Sequence, residues 1–171
     1  MQRQTTEDRE CALERLMAEY GDQVMRTCLL YLQRRQLAED ASQETFIRAW
    51  RALDRLQSKE TEKAWLLKIA VNVCKSELRS RSRRIPEAKV TEDEVPENGR
   101  EDQYPDRTVF NAVISLPLRY RSPVILYYYQ GLPVSDIAGI LHIPGATVRT
   151  RLSRARALLR NQLEGWYFDD E

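Results

Sequence analysis

Residues 86–106 interrupt an otherwise helical chain and thereby decide what it can fold into. The segment PEAKVTEDEVPENGREDQYPD carries three prolines and many acids but almost no large aliphatic side chain. Such a stretch cannot bury the apolar surface that offsets chain entropy, so it is expected to be a flexible acidic linker. On either side, residues 1–85 and 107–171 each have the length of a small helical domain. Apolar spacing reads as helix nearly everywhere, and no convincing alternating strand is found. The expected fold is therefore all-α, with two small helical domains joined by the acidic linker.

Within residues 1–85, Leu13, Leu16, Met17 and Tyr20 make one helical stripe, and Val24, Cys28, Leu29 and Leu32 make the next. A third helix is expected from about Ala38 to Leu56, and a fourth from about Thr61 to Arg84. In the third, Phe46, Ala49, Trp50 and Leu53 point inward. In the fourth, Leu66, Ile69, Ala70 and Val73 do so.

The formal net charge of +1 conceals a block pattern. Residues 1–56 carry −1, residues 57–89 carry +5, residues 90–110 carry −5 and residues 111–171 carry +2. Two basic blocks around an acidic one suggest separate DNA-facing surfaces and not a uniformly cationic protein. No stretch approaches the roughly 18 apolar residues of a membrane span. The N-terminus MQRQTTEDRECALERL has acids where an export signal needs an apolar core, so the expected location is the cytoplasm. Cys11, Cys28 and Cys74 lie far apart without CxxC spacing, which speaks against a disulfide framework or a zinc site. No phosphate-binding loop, catalytic triad or cluster of metal ligands is visible. The expectation is no catalytic residue, no metal and no cofactor.

The C-terminal part has the length of a helix-turn-helix: VSDIAGIL, a turn HIPG, then a long helix. Ile137, Ala138 and Leu141 pack the first helix, Ile143 plugs the turn, and Ala138 is small enough for a close helix crossing. Val148, Leu152, Ala155 and Leu159 recur at helical spacing and form the buried stripe of the second helix. Arg149, Ser153, Arg156 and Arg160 repeat that spacing one residue on, flanked by Arg151 and Arg154. Residues 145–160 hold five arginines and no acid, the charge that phosphate attraction and guanine reading in a major groove require. A merely solvated basic face, or a peptide-binding patch, would show the same charge without the motif. His142 falls in the turn, where a residue tolerant of positive φ is wanted.

Two faces stand out in the N-terminal part. Lys68, Asn72, Lys75, Arg79 and Ser82 form one polar stripe on the fourth helix, its cations suited to phosphates and Asn72 to a base edge. Asp40, Gln43, Glu44, Ile47 and Arg51 form the outward face of the third helix. An isoleucine among charges suits a protein contact, although isolated exposed isoleucines are common.

The strings AEDASQETFIRAW, AWLLKIAVNVCKSELR and LPLRYRSPVILYYYQGLPVSDIAGILHIPGATVRTRLSRAR together resemble the extracytoplasmic-function sigma factors of bacterial RNA polymerase. The likeness spans nearly the whole chain, in order, with a linker where that family has one. It implies a subunit that brings core polymerase to promoter DNA and performs no bond chemistry. It also implies roles. Asp40, Gln43, Glu44 and Ile47, with Arg51 on the same face, match the segment that grips a coiled coil of the largest polymerase subunit. Asn72, Lys75, Ser76 and Arg79, with Lys63 and Lys68, match the helix that recognises the minus-ten element. Residues 56–65 match the loop that captures a flipped non-template base. Thr147, Arg149, Thr150, Ser153 and Arg154, flanked by Arg151 and Arg156, match the helix that reads the minus-thirty-five element. The acidic linker resembles the segment threaded through the RNA-exit path. An anti-sigma factor is the further expected partner.

The chain also departs from that pattern. Gly145-Ala146 stands where the family usually has glutamate-glycine, Asp136 and Gly139 replace commoner glutamates, and the loop before Trp65 lacks an aromatic residue that some members use near the flipped base. Two rival readings are a free-standing helix-turn-helix regulator that dimerises through its N-terminal helices, and an adaptor that binds proteins only. The first leaves the AEDASQETF and Asn72 motifs unexplained, the second the arginine face.

Overall fold

The structure, a computed structural model, describes residues 5–84 and 107–167, and the chain divides into two compact units. The expected linker, residues 86–106, lies outside the described residues. Every regular element among the described residues is a helix.

In the first unit α1 (Thr6–Leu32) opens on a capping box. The Thr5 hydroxyl accepts from the Asp8 N–H at 3.2 Å while the Asp8 carboxylate accepts from the Thr5 N–H at 3.0 Å, satisfying two end groups at once. The two expected stripes are parts of this single helix. Leu16, Val24 and Cys28 fall on one face and are fully buried, so packing carries the helix straight through Gly21 despite that residue's low propensity. Met17, placed in the inward stripe by spacing, is 48% exposed because it lies one step off that face. α1 ends on Gln33 in the left-handed conformation (φ 62°), whose N–H returns to the Leu29 carbonyl at 2.8 Å.

α2 (Arg35–Arg51) follows after a two-residue link and begins three residues before the expected Ala38. It also stops before the expected Leu56: the Ala52 N–H is shared between the carbonyls of Arg48 and Ala49, both at 3.1 Å, and the chain tightens into a 3-10 turn, Leu53–Arg55. A second such turn, Lys59–Thr61, leads into α3 (Glu62–Arg84). Because α1 and α2 both pack on α3, its buried set is wider than one stripe: Leu67, Val71 and Cys74 join Leu66, Ala70 and Val73, while Ile69 is half-buried. Cys28 and Cys74 meet there with their thiols in contact, and that neighbour together with burial pushes the Cys74 thiol well above its ordinary range. Both act as small apolar packers.

The start of α3 is held by an ion pair. Glu62 is 3% exposed; both its oxygens accept from the Arg15 guanidinium, one of them at 3.0 Å, and the Tyr20 hydroxyl lies 3.5 Å from the same oxygen. The Arg15 hydrogen bonds hold the Glu62 carboxyl below its usual value, against the opposing effect of burial. A carboxyl depressed in this way stabilises the fold above its unfolded-state value, and that contribution is lost as pH falls through the folded-state value. Arg15→Ala removes the largest pull on the Glu62 carboxyl and leaves burial opposed only by the weaker pulls of Lys59 and Tyr20, so its folded value rises and the acid-side loss of stability shrinks relative to wild type. The variant is expected to lose ~2–3 kcal/mol near neutral pH, less than a fully buried pair because Arg15 is partly solvated. It should regain part of this loss on acidification to about pH 5. Urea unfolding of both proteins at the two pH values checks this; a stability gap between them that is as wide at about pH 5 as near neutral pH contradicts it.

In the second unit α4 (Arg107–Ser115) and α5 (Leu118–Val124) precede a π-helical turn, Ile125–Tyr129. The π turn, with the Gln130 N–H on the Ile125 carbonyl at 3.1 Å, buries Ile125 and Leu126 and leaves Tyr127 and Tyr128 exposed. Arg121, buried in α5, donates to the Ile114 carbonyl at 2.7 Å and so ties α5 to the end of α4. α6 (Val134–Leu141) and α7 (Gly145–Tyr167) follow as the expected helix-turn-helix. Ile137, Ile140 and Leu141 bury one side of α6; Val148, Leu152 and Ala155 are buried on α7, with Leu159 and Ile143 half-buried. His142 caps α6 at φ 55°, ψ 44°, its N–H on the Ala138 carbonyl, so it has the positive φ expected of the turn. No helix among the described residues is long and apolar enough to cross a membrane.

Candidate nucleic-acid interface

Inward packing on α7 forces its arginines outward. With Val148, Leu152 and Ala155 buried, Arg149, Thr150, Ser153, Arg154 and Arg156 are exposed, while Thr147 and Arg151 are half-buried. Pro144 starts the helix by accepting from the Thr147 and Val148 N–H groups at 3.0 and 3.1 Å, so the first turn forms without the glutamate-glycine pair. The Thr150 hydroxyl bonds back to the Ala146 carbonyl at 3.0 Å. Two tyrosines outside the helix brace its cations. Tyr128 is 52% exposed, and its hydroxyl accepts from Arg156 Nη1 at 3.1 Å. Arg154 hydrogen-bonds the Tyr120 hydroxyl and lowers that phenol's pKa, with Arg119 adding a weaker pull. Sequence reading missed both tyrosines; YYY shows aromatic content but not the π turn that rotates Tyr128 towards α7.

In the first unit α2 and α3 lie side by side. Asp40, Gln43 and Arg51 are exposed, Glu44 is half-buried and Ile47 is 45% exposed. Intrahelical bonds restrain the two acids: Glu44 accepts from Arg48 Nε at 2.7 Å and Asp40 from Gln36 at 3.3 Å. On α3, Asn72, Ser76 and Arg79 are exposed, while Lys63, Lys68 and Lys75 are half-buried. A groove of about 320 Å³ runs between the helices, lined by Asp40, Glu44, Arg48, Val73, Ser76 and Glu77 among others. A second, of about 430 Å³, lies over the end of α3 between Ser76, Arg79, Ser80, Arg83 and Arg84. Ser76 borders both, so the acidic face of α2 passes directly into the cationic end of α3. Arg83 and Arg84 are cations the spacing argument left out, although the +5 charge of residues 57–89 includes them. The structure thus sorts the expected residues into an acidic-apolar patch and a basic strip within the first unit, and an arginine face within the second; Lys63, in the first turn of α3, falls about half a turn round from Asn72 and off that strip.

Comparison with known proteins assigns these units. The Sigma-70 region 2 family matches residues 16–84 and the Sigma-70 region 4 family matches residues 107–159. The RNA polymerase sigma-H factor of Pseudomonas aeruginosa is 30% identical over 167 residues, covering 90% of this chain and 86% of that protein. The ECF RNA polymerase sigma-E factor of Escherichia coli is 34% identical over 139 residues, covering 73% of each. The chain belongs to the extracytoplasmic-function sigma factors of RNA polymerase.

As a sigma factor it directs promoter-specific transcription initiation, binding core polymerase and promoter DNA. A solved structure of the sigma factor RpoE in complex with the anti-sigma factor NepR from Bartonella quintana shares the fold, with a TM-score of 0.77, 24% identity, and coverage of 88% of this chain and 96% of that one. In the present sigma factor region 2 comprises most of α1 together with α2 and α3, and region 4 the helices from α4 into α7.

Proposed function

We propose that this sigma factor divides its work among three surfaces. The α2 face of Asp40, Gln43, Glu44, Ile47 and Arg51 seats on core polymerase, its exposed isoleucine ringed by charge as a protein contact needs. The α3 strip of Lys68, Asn72, Lys75, Ser76 and Arg79, with Lys63 at the head of the same helix, engages the minus-ten element, while residues 56–65 receive a flipped base. The α7 face of Thr147, Arg149, Thr150, Arg151, Ser153, Arg154 and Arg156 reads the minus-thirty-five element. In domain terms, residues 1–85 serve core and the minus-ten element, 107–171 the upstream element, and the acidic residues 86–106 join them. The observation that carries this reading is the outward, acid-free arginine face on the second helix of a helix-turn-helix.

The polymerase supplies all bond chemistry, and the chain is no enzyme. It works in the cytoplasm under an anti-sigma factor; the Bartonella quintana protein of the same fold, solved with such a partner, supports that control. Reconstituted run-off transcription tests the reading. Promoter-specific RNA made only when the chain joins core polymerase is the expected result. Specific duplex binding without core, and no discrete start with it, overturns it.

A further inference from the structure

α1 holds both ends of the segment that joins α2 to α3. At the near end Arg9 donates from Nη1 to the Asp54 carboxylate at 2.8 Å and from Nη2 to the Trp50 carbonyl at 2.7 Å, with its guanidinium 5.2 Å from the Trp50 ring centre. At the far end Arg15 grips both oxygens of buried Glu62. Between these anchors residues 57–61 are exposed and shaped by local ties: the Ser58 carbonyl accepts from the Thr61 hydroxyl at 2.9 Å and from its N–H at 3.2 Å, the Glu60 carboxylate accepts from the Ser58 side chain, and the Glu62 N–H closes the 3-10 turn on the Lys59 carbonyl. These ties are all local: they shape one exposed turn but do not fix where its two ends sit, and the ends are what Arg9 and Arg15 hold.

Burying a carboxylate beneath an arginine gains little net stability over an apolar pair, because desolvation offsets the attraction. What a forked, two-point pair supplies is direction: it fixes where the first turn of α3 starts and how the loop enters it. Arg9 does the same at the other end through a backbone carbonyl, which sets the path of the main chain itself. We propose that Arg9 and Arg15 are positioning residues that preorganise the 56–61 loop as a receptor for an unpaired base of single-stranded DNA. The inference rests on the reading of residues 56–65, which include that loop, as the site of base capture. Capture has to offset the unstacking of the extruded base, and a loop already held in its bound shape spends less of its binding energy on ordering itself. Both arginines lie before residue 16, outside the region 2 match, so the proposal stands on this chain's own contacts.

The test uses holoenzyme assembled from core polymerase and the full chain, on fork templates with a duplex upstream element and a single-stranded minus-ten strand. Abasic sites are walked along that strand one position at a time. Wild type should lose affinity several-fold at one position. Arg9→Met, and separately Arg15→Met combined with Glu62→Leu, should bring that penalty close to unity while affinity for the closed upstream duplex stays unchanged. Arg9→Met keeps the question open to refutation should the double variant unfold, because Asp54 is solvent-exposed and tolerates losing its partner. Variants that keep the full abasic penalty overturn the proposal. If wild type initiates at its promoter yet shows no penalty anywhere, base capture by this loop is wrong and the proposal goes with it. If wild type starts no discrete transcripts, the failure belongs to the function itself.

Discussion

Glu44→Lys combined with Ile47→Asp should reduce association with core polymerase from stable to undetectable in a pull-down from purified components. The two residues share the outward face of α2, one turn apart. Ile47 is 45% exposed and contributes little to the unit's own core, so its replacement should leave stability within about half a kcal/mol. The lysine at position 44 would lose the bond to Arg48 and oppose it instead, a repulsion of ~0.2–0.5 kcal/mol at this helical spacing. Neither change unfolds the unit. At a docked interface, by contrast, a reversed charge and a carboxylate in the apolar centre each cost on the order of several kcal/mol. A circular dichroism melt separates the two effects: an unchanged midpoint with lost association is expected. Full pull-down by the folded double variant would show that this face is only solvated.

Arg149→Ala and Arg154→Ala should each weaken binding of the upstream duplex by ~1–3 kcal/mol where the side chain meets a base edge, and together by roughly the sum. Arg154 starts from a braced position against Tyr120, so less side-chain freedom is lost on binding than for an unrestrained arginine. A base contact and a phosphate contact are distinguished by comparing the cognate duplex with an unrelated one across a salt series. Loss confined to the cognate duplex marks base reading, whereas equal loss on both with a shallower salt slope marks phosphate neutralisation. Affinity unchanged on both removes these arginines from the site. Because Val148 and Leu152 on the opposite face carry the packing of α7, the alanine variants should fold normally.

The two families of residues behind these predictions differ in how they become visible. The all-α class, the span of α6 and the opposition of Val148 and Leu152 to Arg149 and Arg154 on α7 follow from spacing along the chain. A helix repeats every 3.6 residues, so which side chains share a face is decided within one or two turns. The left-handed His142 cap is local in the same sense.

Tertiary packing decided the rest. Local spacing suggested two stripes in residues 13–32, but a common neighbouring surface makes them one helix, with Met17 turned out. The breadth of burial on α3 reflects two helices packing on it, which no single-helix pattern encodes. The π turn that brings Tyr128 to Arg156, and the pairs Arg9–Asp54 and Arg15–Glu62, join residues 28, 45 and 47 positions apart. By itself the sequence determined which helices exist and which face of each is cationic, because those properties are set by short-range periodicity. Only the folded chain decided which distant side chains meet, and hence how the loop before α3 is held, because contacts across such separations depend on how whole helices pack.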